Sequence, residues 1–137
     1  MKVEPYLFFN GTCEEAFNFY AKVIGAKIEA MMKHEGTPAE AHTPKEWQQK
    51  IMHARMTVDG HGIMASDAPP GHQANQMSGF SVTLDLPTAA EVDRIYNAFV
   101  EGGEARMKPD ETFFAKRFAM VADRFGTPWM LICPKSS

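Results

Sequence analysis

One pattern occurs twice in this chain, and it constrains the fold more than anything else. Thr12 and Glu15 stand ahead of an apolar series, Ala16, Phe19, Tyr20 and Val23. Thr88 and Glu91 stand in the same way ahead of Val92, Ile95, Tyr96, Phe99 and Val100. Each Thr/Glu pair has the spacing of a capping box, in which the hydroxyl accepts from a helix N–H and the carboxylate reaches back. Each apolar series has the period of a helix with one buried face. The two align without a gap from Thr12 to Thr88, an offset of 76, with Glu15 on Glu91, Tyr20 on Tyr96 and Val23 on Phe99. Gly25 ends the first helix and Gly102-Gly103 the second.

The flanking segments repeat as well. Strands are expected over residues 3–10, 27–32, 51–58 and 62–66, then over 80–86, 104–107, 113–122 and 129–133. Asp59-Gly60 is a hairpin turn, because both residue types tolerate positive φ, and residues 123–126 form the matching turn near the end. Gly36, Pro38 and Pro44 make residues 34–48 a long loop, with a turn of helix near 44–49. Pro69, Pro70 and Gly71 make residues 67–76 a second loop. The order strand-helix-strand-strand-strand therefore occurs twice, over about residues 1–67 and 78–134. Capping residues, aromatics and turns in a single register point to an internal duplication. The fold class is α+β, with two tandem βαβββ repeats forming one domain over residues 1–137.

Composition narrows the function. The chain has 137 residues, enough to bury roughly two thirds of its unfolded surface without disulfide or metal. Hydrophobic residues make up 45% and charged residues 23%, which reads as globular. The net charge is -3 and no basic run stands out, so the electrostatic footprint of a nucleic-acid binder is missing. No apolar run approaches the ~18 residues that span a bilayer. Glu4 and Pro5 interrupt the place where a signal peptide needs an apolar run. The expected location is the cytoplasm, without a membrane or nucleic-acid partner. Cys13 and Cys133 have no CxxC partner and are expected as reduced thiols. Cys13 falls in a helical first turn, where a lowered pKa competes with plain burial as the explanation.

The run NGTCEEAFNFYAKVIGAKI resembles the first helix of proteins in the vicinal-oxygen-chelate (glyoxalase/bleomycin-resistance/dioxygenase) superfamily, and VADRFGTPWMLI resembles its closing D-x-x-G-x-x-x-x-L hairpin. YLFFNGTCEEAFNFY, KIMHARMTVDGHGIMASD and DRFGTPWM resemble the PhnB-like branch, whose label is "3-demethylubiquinone methyltransferase-like". The resemblance covers nearly the whole chain. It implies curled mixed sheets with helices outside, a cleft inside, and a homodimer that completes each cleft. The methyltransferase label finds no support in the residues. The strand-to-helix junctions, Asn10-Gly11-Thr12 and Leu86-Pro87-Thr88, are not the glycine-rich loops that cradle S-adenosylmethionine.

In metal-dependent members of the superfamily, two His or Glu ligands per repeat hold a divalent ion that acts as a Lewis acid. Ungapped alignment puts the corresponding positions here on Pro5, Ser66 (or Met64), Ser81 and Met130. None is an imidazole or a carboxylate, and serine and methionine are poor ligands for zinc, nickel or ferrous ion. The expectation is no metal and no cofactor. Pairing of His53 with His61 across the hairpin would supply two ligands where three or four are needed.

Other residues would line the cleft. Residues 51–58 alternate, with His53, Arg55 and Thr57 on one face and Met52, Ala54, Met56 and Val58 on the other. The apolar face is the buried one. His53 and Arg55 then face solvent or the cleft, where Arg55 would suit an anionic or carbonyl-bearing ligand and His53 a general base. One of Lys116 and Arg117 faces inward. Phe9, Phe114 and the methionines would supply an apolar lining, with Trp129 under a helix and Met130 in the cleft. Asp67 would cap the following loop or touch a ligand. The cleft candidates are thus His53, Arg55, Ser66, Asp67, Ser81, Phe114, Arg117 and Met130. The expected function is binding of a small organic molecule without metal. The alternative is a metal-dependent lyase, isomerase or dioxygenase acting on a carbonyl compound.

Overall fold

The computed structural model describes residues 1–135. The chain separates into two compact units, Met1–Asn75 and a second beginning at Gln76. The first unit contains β1 (Tyr6–Phe9), α1 (Cys13–Ile24), β2 (Lys27–Lys33), two 3-10 turns (Pro38–His42 and Lys45–Trp47), β3 (Ile51–Val58) and β4 (His61–Asp67). The second contains β5 (Val82–Asp85), α2 (Ala89–Val100), β6 (Glu104–Asp110), β7 (Ala115–Ala122) and β8 (Pro128–Pro134). Each strand and α-helix of the first unit has a counterpart of equal length in the second, whereas the two 3-10 turns have none among the described residues. The helices keep the offset of 76 read from the sequence, since Cys13 maps to Ala89 and Ile24 to Val100.

Each repeat builds its own four-stranded sheet, in the order β1-β4-β3-β2 and β5-β8-β7-β6. The outer pairs β1/β4 and β5/β8 are parallel and the remaining pairs antiparallel. Among the described residues no strand of one repeat joins the other repeat's sheet. Pro109 lies in β6, an edge strand, where a missing N–H does not interrupt a central ladder.

One face of each sheet is packed under its helix. In the first unit Leu7, Phe9, Ala54, Met56 and Ala65 are buried together with Ala16, Phe17 and Tyr20 of α1. In the second, Trp129 is fully buried with its ring 5.0 Å from that of Phe99 on α2. Of the helix stripes read from the sequence, Ala16 and Tyr20 on α1 and Val92, Ile95, Tyr96 and Phe99 on α2 are core, whereas Phe19, Val23 and Val100 are half-buried and Phe17, outside the stripe, is buried. So is Phe9, which belongs to this buried face and not to an apolar cleft lining.

The two helices begin differently. Thr88 Oγ1 accepts from the Glu91 N–H at 3.1 Å, but the Glu91 carboxylate turns to Arg94, so only half of that capping box forms. Thr12 makes no side-chain cap at all. Asp67, at the end of β4, takes its place. Its Oδ1 accepts from the N–H groups of Gly11 and Cys13, and its Oδ2 from that of Ile51, all at 2.9 Å. A buried carboxylate satisfies orphan donors at a helix N-terminus better than a hydroxyl, and its charge suits the helix dipole. Asp67 thus ties β4 to α1 and β3. It neither caps the loop after it nor leaves an oxygen obviously free.

Turns fall where the sequence put them. Asp59 (φ 48°) and Gly60 (φ 83°) both adopt positive φ, as a two-residue hairpin requires. Asp123 holds the last turn, accepting from Phe125 N and Thr127 N through Oδ1 and from Trp129 Nε1 through Oδ2.

Candidate functional site

The sheet face away from each helix carries the side chains that alternate with the core. On the first sheet one row across the four strands is Tyr6, Met64, Arg55 and Ala30. In the next row Phe8 lies beside Ser66 on β1/β4, and Met32 beside His53 on β2/β3. On the second sheet the rows are Thr83, Met130, Met120, Met107 and Asp85, Ile132, Phe118, Asp110. Five methionines therefore fall on these two open faces, where flexible thioethers suit an adaptable apolar contact.

The first sheet has the more organised face. Phe8 is 52% exposed, Met32 42% and Tyr6 36%. The Tyr6 ring lies 5.0 Å from that of Phe8 and 5.7 Å from that of His53. Tyr6 Oη and His53 Nδ1 share a hydrogen bond of 3.1 Å. This leaves the far side of the imidazole, Nε2, free of the bond to Tyr6. An ion pair borders the aromatic group. Arg55 donates from Nη1 and Nη2 to the two carboxylate oxygens of Glu4, at 2.6 and 3.1 Å, and Gly62 N–H donates to Glu4 Oε2 at 3.1 Å. The guanidinium beside Glu4 holds its carboxyl below the usual range, and Glu4 in turn raises Arg55. The cationic side chain expected to meet an anionic ligand is therefore already matched.

Several expectations change here. Glu4 was read only as an interruption of a signal peptide, yet it shares the open face with Tyr6 and Phe8. Pro5, the aligned first ligand position, has the parity of Leu7 and Phe9 on the buried face, and its carbonyl accepts from Met64 N–H. Arg117 pairs with Asp93 of α2 at 3.3 Å, so it sits on the helix side, and alternation gives the other face to Lys116. His53 and His61 cannot share an ion. His61 pairs with Val58, five residues along β3 from His53, roughly 16 Å at strand spacing and on the opposite face.

The other candidates are placed as follows. Ser66 and Met130 have the parity of the faces away from the helices, but Ser66 is buried and Met130 half-buried. Ser81 is half-buried one residue before β5. Phe114 lies just before β7 with its ring edge-on to Phe118, 5.2 Å away. Asp67 is the buried tie described above. Cys13 is fully buried, and burial, with the Asp67 charge beside it, pushes its thiol far above the ordinary range. The helix terminus does not activate it.

The residues at the superfamily's metal positions do not fit a divalent ion. Ser66 and Met130 offer poor donors, and of the carboxylates at that face Glu4 has both oxygens committed to Arg55 and Gly62, while Glu29 accepts from Thr57 Oγ1 at its edge. Among the described residues no three of His, Cys, Asp and Glu come together as a metal site. The first strand-to-helix junction is also committed, since Asp67 accepts from its Gly11 and Cys13 N–H groups. A cavity of about 210 Å³ lies beside this junction, bordered by Glu14, Glu15, Lys33 and Lys50. Its mixed charges offset one another, and Lys50 Nζ is already bonded to Gly11 O at 2.9 Å.

Comparison with known proteins agrees with this architecture. The family model described as 3-demethylubiquinone-9 3-methyltransferase matches residues 1–132. Protein YjdN of Escherichia coli (strain K12) is 34% identical over 96% of this chain and 94% of its own length. The crystal structure of protein PA1353 from Pseudomonas aeruginosa is 40% identical, with a TM-score of 0.90 over 99% of both chains. A glyoxylase/bleomycin resistance protein/dioxygenase domain from Frankia sp. EAN1pec, 10% identical, superposes with a TM-score of 0.65 over 98% of this chain and 95% of its own, a likeness of fold alone.

Proposed function

We propose that this chain, which belongs to the 3-demethylubiquinone-9 3-methyltransferase family and has the glyoxalase/bleomycin-resistance fold, binds a small organic molecule without a metal ion. We further propose that it does so as a homodimer in the cytoplasm. The observation that carries this reading is the exposed Phe8–Tyr6–His53 group on the open face of the first sheet. Exposed aromatic and methionine side chains grouped beside fixed polar atoms mark a surface for an apolar partner. Phe8 and Met32 would take the apolar body of the ligand. His53, its ring fixed by Tyr6, would hydrogen-bond a polar substituent through Nε2.

The dimer reading rests on further exposed apolar side chains, including Met107, Phe113 and Phe114 in the second unit. Light scattering on the purified protein tests it, with a mass of twice 15.3 kDa expected. The binding reading is tested by ligand-observed NMR with neutral aromatic probes such as benzamide, on protein kept in chelator. Signal that survives chelation and falls at least about fivefold in Phe8→Ala and His53→Ala is the expected result. Binding that appears only when nickel, zinc, manganese or ferrous ion is supplied would contradict it.

A further inference from the structure

The ion pair at the edge of this face is built unequally. Arg55 lies in the middle of β3, which is flanked on both sides by β2 and β4. Gly62 lies on β4 beside it, paired with Thr57. A Cβ on Gly62 would collide with the Glu4 carboxylate and stand 2.5 Å from Arg55 Nη2. The absent side chain is therefore what makes room for a carboxylate against the guanidinium. Together the two parallel guanidinium donors and one backbone N–H form a rigid carboxylate receptor of the kind arginine suits best.

Apart from those three hydrogen bonds, the group that fills it is anchored by little else. Glu4 precedes β1, and its neighbour Val3 is 91% exposed. The ladder reaches as far as Pro5, whose carbonyl accepts from Met64 N–H. Beyond that point the segment carries no buried apolar side chain, so releasing Glu4 sacrifices little packing. Receptor and aromatic group are contiguous, because Tyr6, Met64 and Arg55 form one row.

We propose that Arg55 and Gly62 form a receptor for a ligand carboxylate, and that Glu4 occupies it when no ligand is present. This rests on the binding reading above and narrows it to aromatic or apolar monocarboxylates, whose ring would lie toward Tyr6 and Phe8. Exchange breaks the Glu4 bonds to Arg55 and Gly62 and remakes them with the ligand, so charge on the face stays balanced. A tethered plug raises the apparent Kd by the inverse of the fraction of time it vacates the receptor, so a plug present about nine-tenths of the time raises it about tenfold.

The test titrates benzoate, with benzamide as the neutral control, into the wild type, Glu4→Ala and Glu4→Gln, following the Gly62 amide resonance. Removing Glu4 is expected to tighten benzoate binding about tenfold and leave benzamide unchanged. Benzoate is expected to restore in Glu4→Ala the Gly62 shift of the wild type. Arg55→Ala or Gly62→Ala, added to Glu4→Gln, is expected to abolish the gain. Benzoate binding equal in wild type and both Glu4 variants would overturn the proposal, and so would a gain that persists without Arg55. If benzamide still binds in those cases, the open-face reading stands and only the receptor falls. If neither probe binds any variant, both fall.

Discussion

Asp67 shows most clearly how one side chain can organise a unit. Three N–H groups from two places in the chain, the β1–α1 junction and the start of β3, depend on its two oxygens. Asp67→Ala should therefore destabilise the protein by about 3 kcal/mol or more, since it strands buried donors around a lost charge. Urea unfolding measures it. Thr12→Ala should be nearly silent by the same measurement, whereas Thr88→Ala should cost about 1 kcal/mol, because only Thr88 caps its helix. Glu4 gives a pH signature. Its carboxyl is held below the usual range by Arg55, so its contribution is complete above the usual carboxylate pKa and is lost as pH falls through the lowered one. Melting temperature followed from pH 7 into the acid range should fall less steeply in Glu4→Gln than in the wild type. Equal slopes would mean the pair contributes nothing to stability.

The elements themselves were legible in the residues. Period-3.6 stripes gave both helices, and the turn residues gave both hairpins, because local chemistry decides these features. The strand ends shifted. Val3 and Phe80 read as strand by composition, but β1 and β5 contain only Tyr6–Phe9 and Val82–Asp85, the residues that find a parallel partner. The first capping box was misread for a related reason: its spacing is local, while the carboxylate that displaces Thr12 comes from fifty-odd residues away. Gly103 closes the second repeat tightly. A Cβ there would collide with the Ala122 carbonyl and come within 2.8 Å of the Phe99 carbonyl, both backbone atoms that cannot swing aside. Gly103→Ala should cost roughly 3 kcal/mol, whereas Gly126→Ala meets open space and carries only the cost of its positive φ. Comparing the two denaturation midpoints separates a steric effect from a conformational one.

At the scale of the whole molecule, the duplication was the most informative feature and the site the least. Alternation along β3 correctly put His53 and Arg55 on the face opposite Ala54 and Met56. Nothing local announced that Tyr6 would meet His53, or that Glu4 would meet Arg55, because both contacts cross strands that are distant in sequence. Counting ligand positions from the helix without a gap fell on Pro5, just ahead of β1, and such a count leaves the face open, since a one-residue slip exchanges the two faces of a strand. The second open face, with Met107, Met120 and Met130 in one row, was foreshadowed by the methionine count and by the placing of Met130 opposite Trp129, while Met107 and Met120 were not singled out.

The claim at the centre of this account is that the open face of the first sheet binds an organic ligand with no metal. Its most direct measurement is saturation-transfer NMR of an aromatic probe on protein stripped with chelator, repeated with His53→Ala. The account predicts transfer that is undiminished by stripping and largely lost in the variant. Transfer that vanishes on stripping and returns with a divalent ion would contradict it.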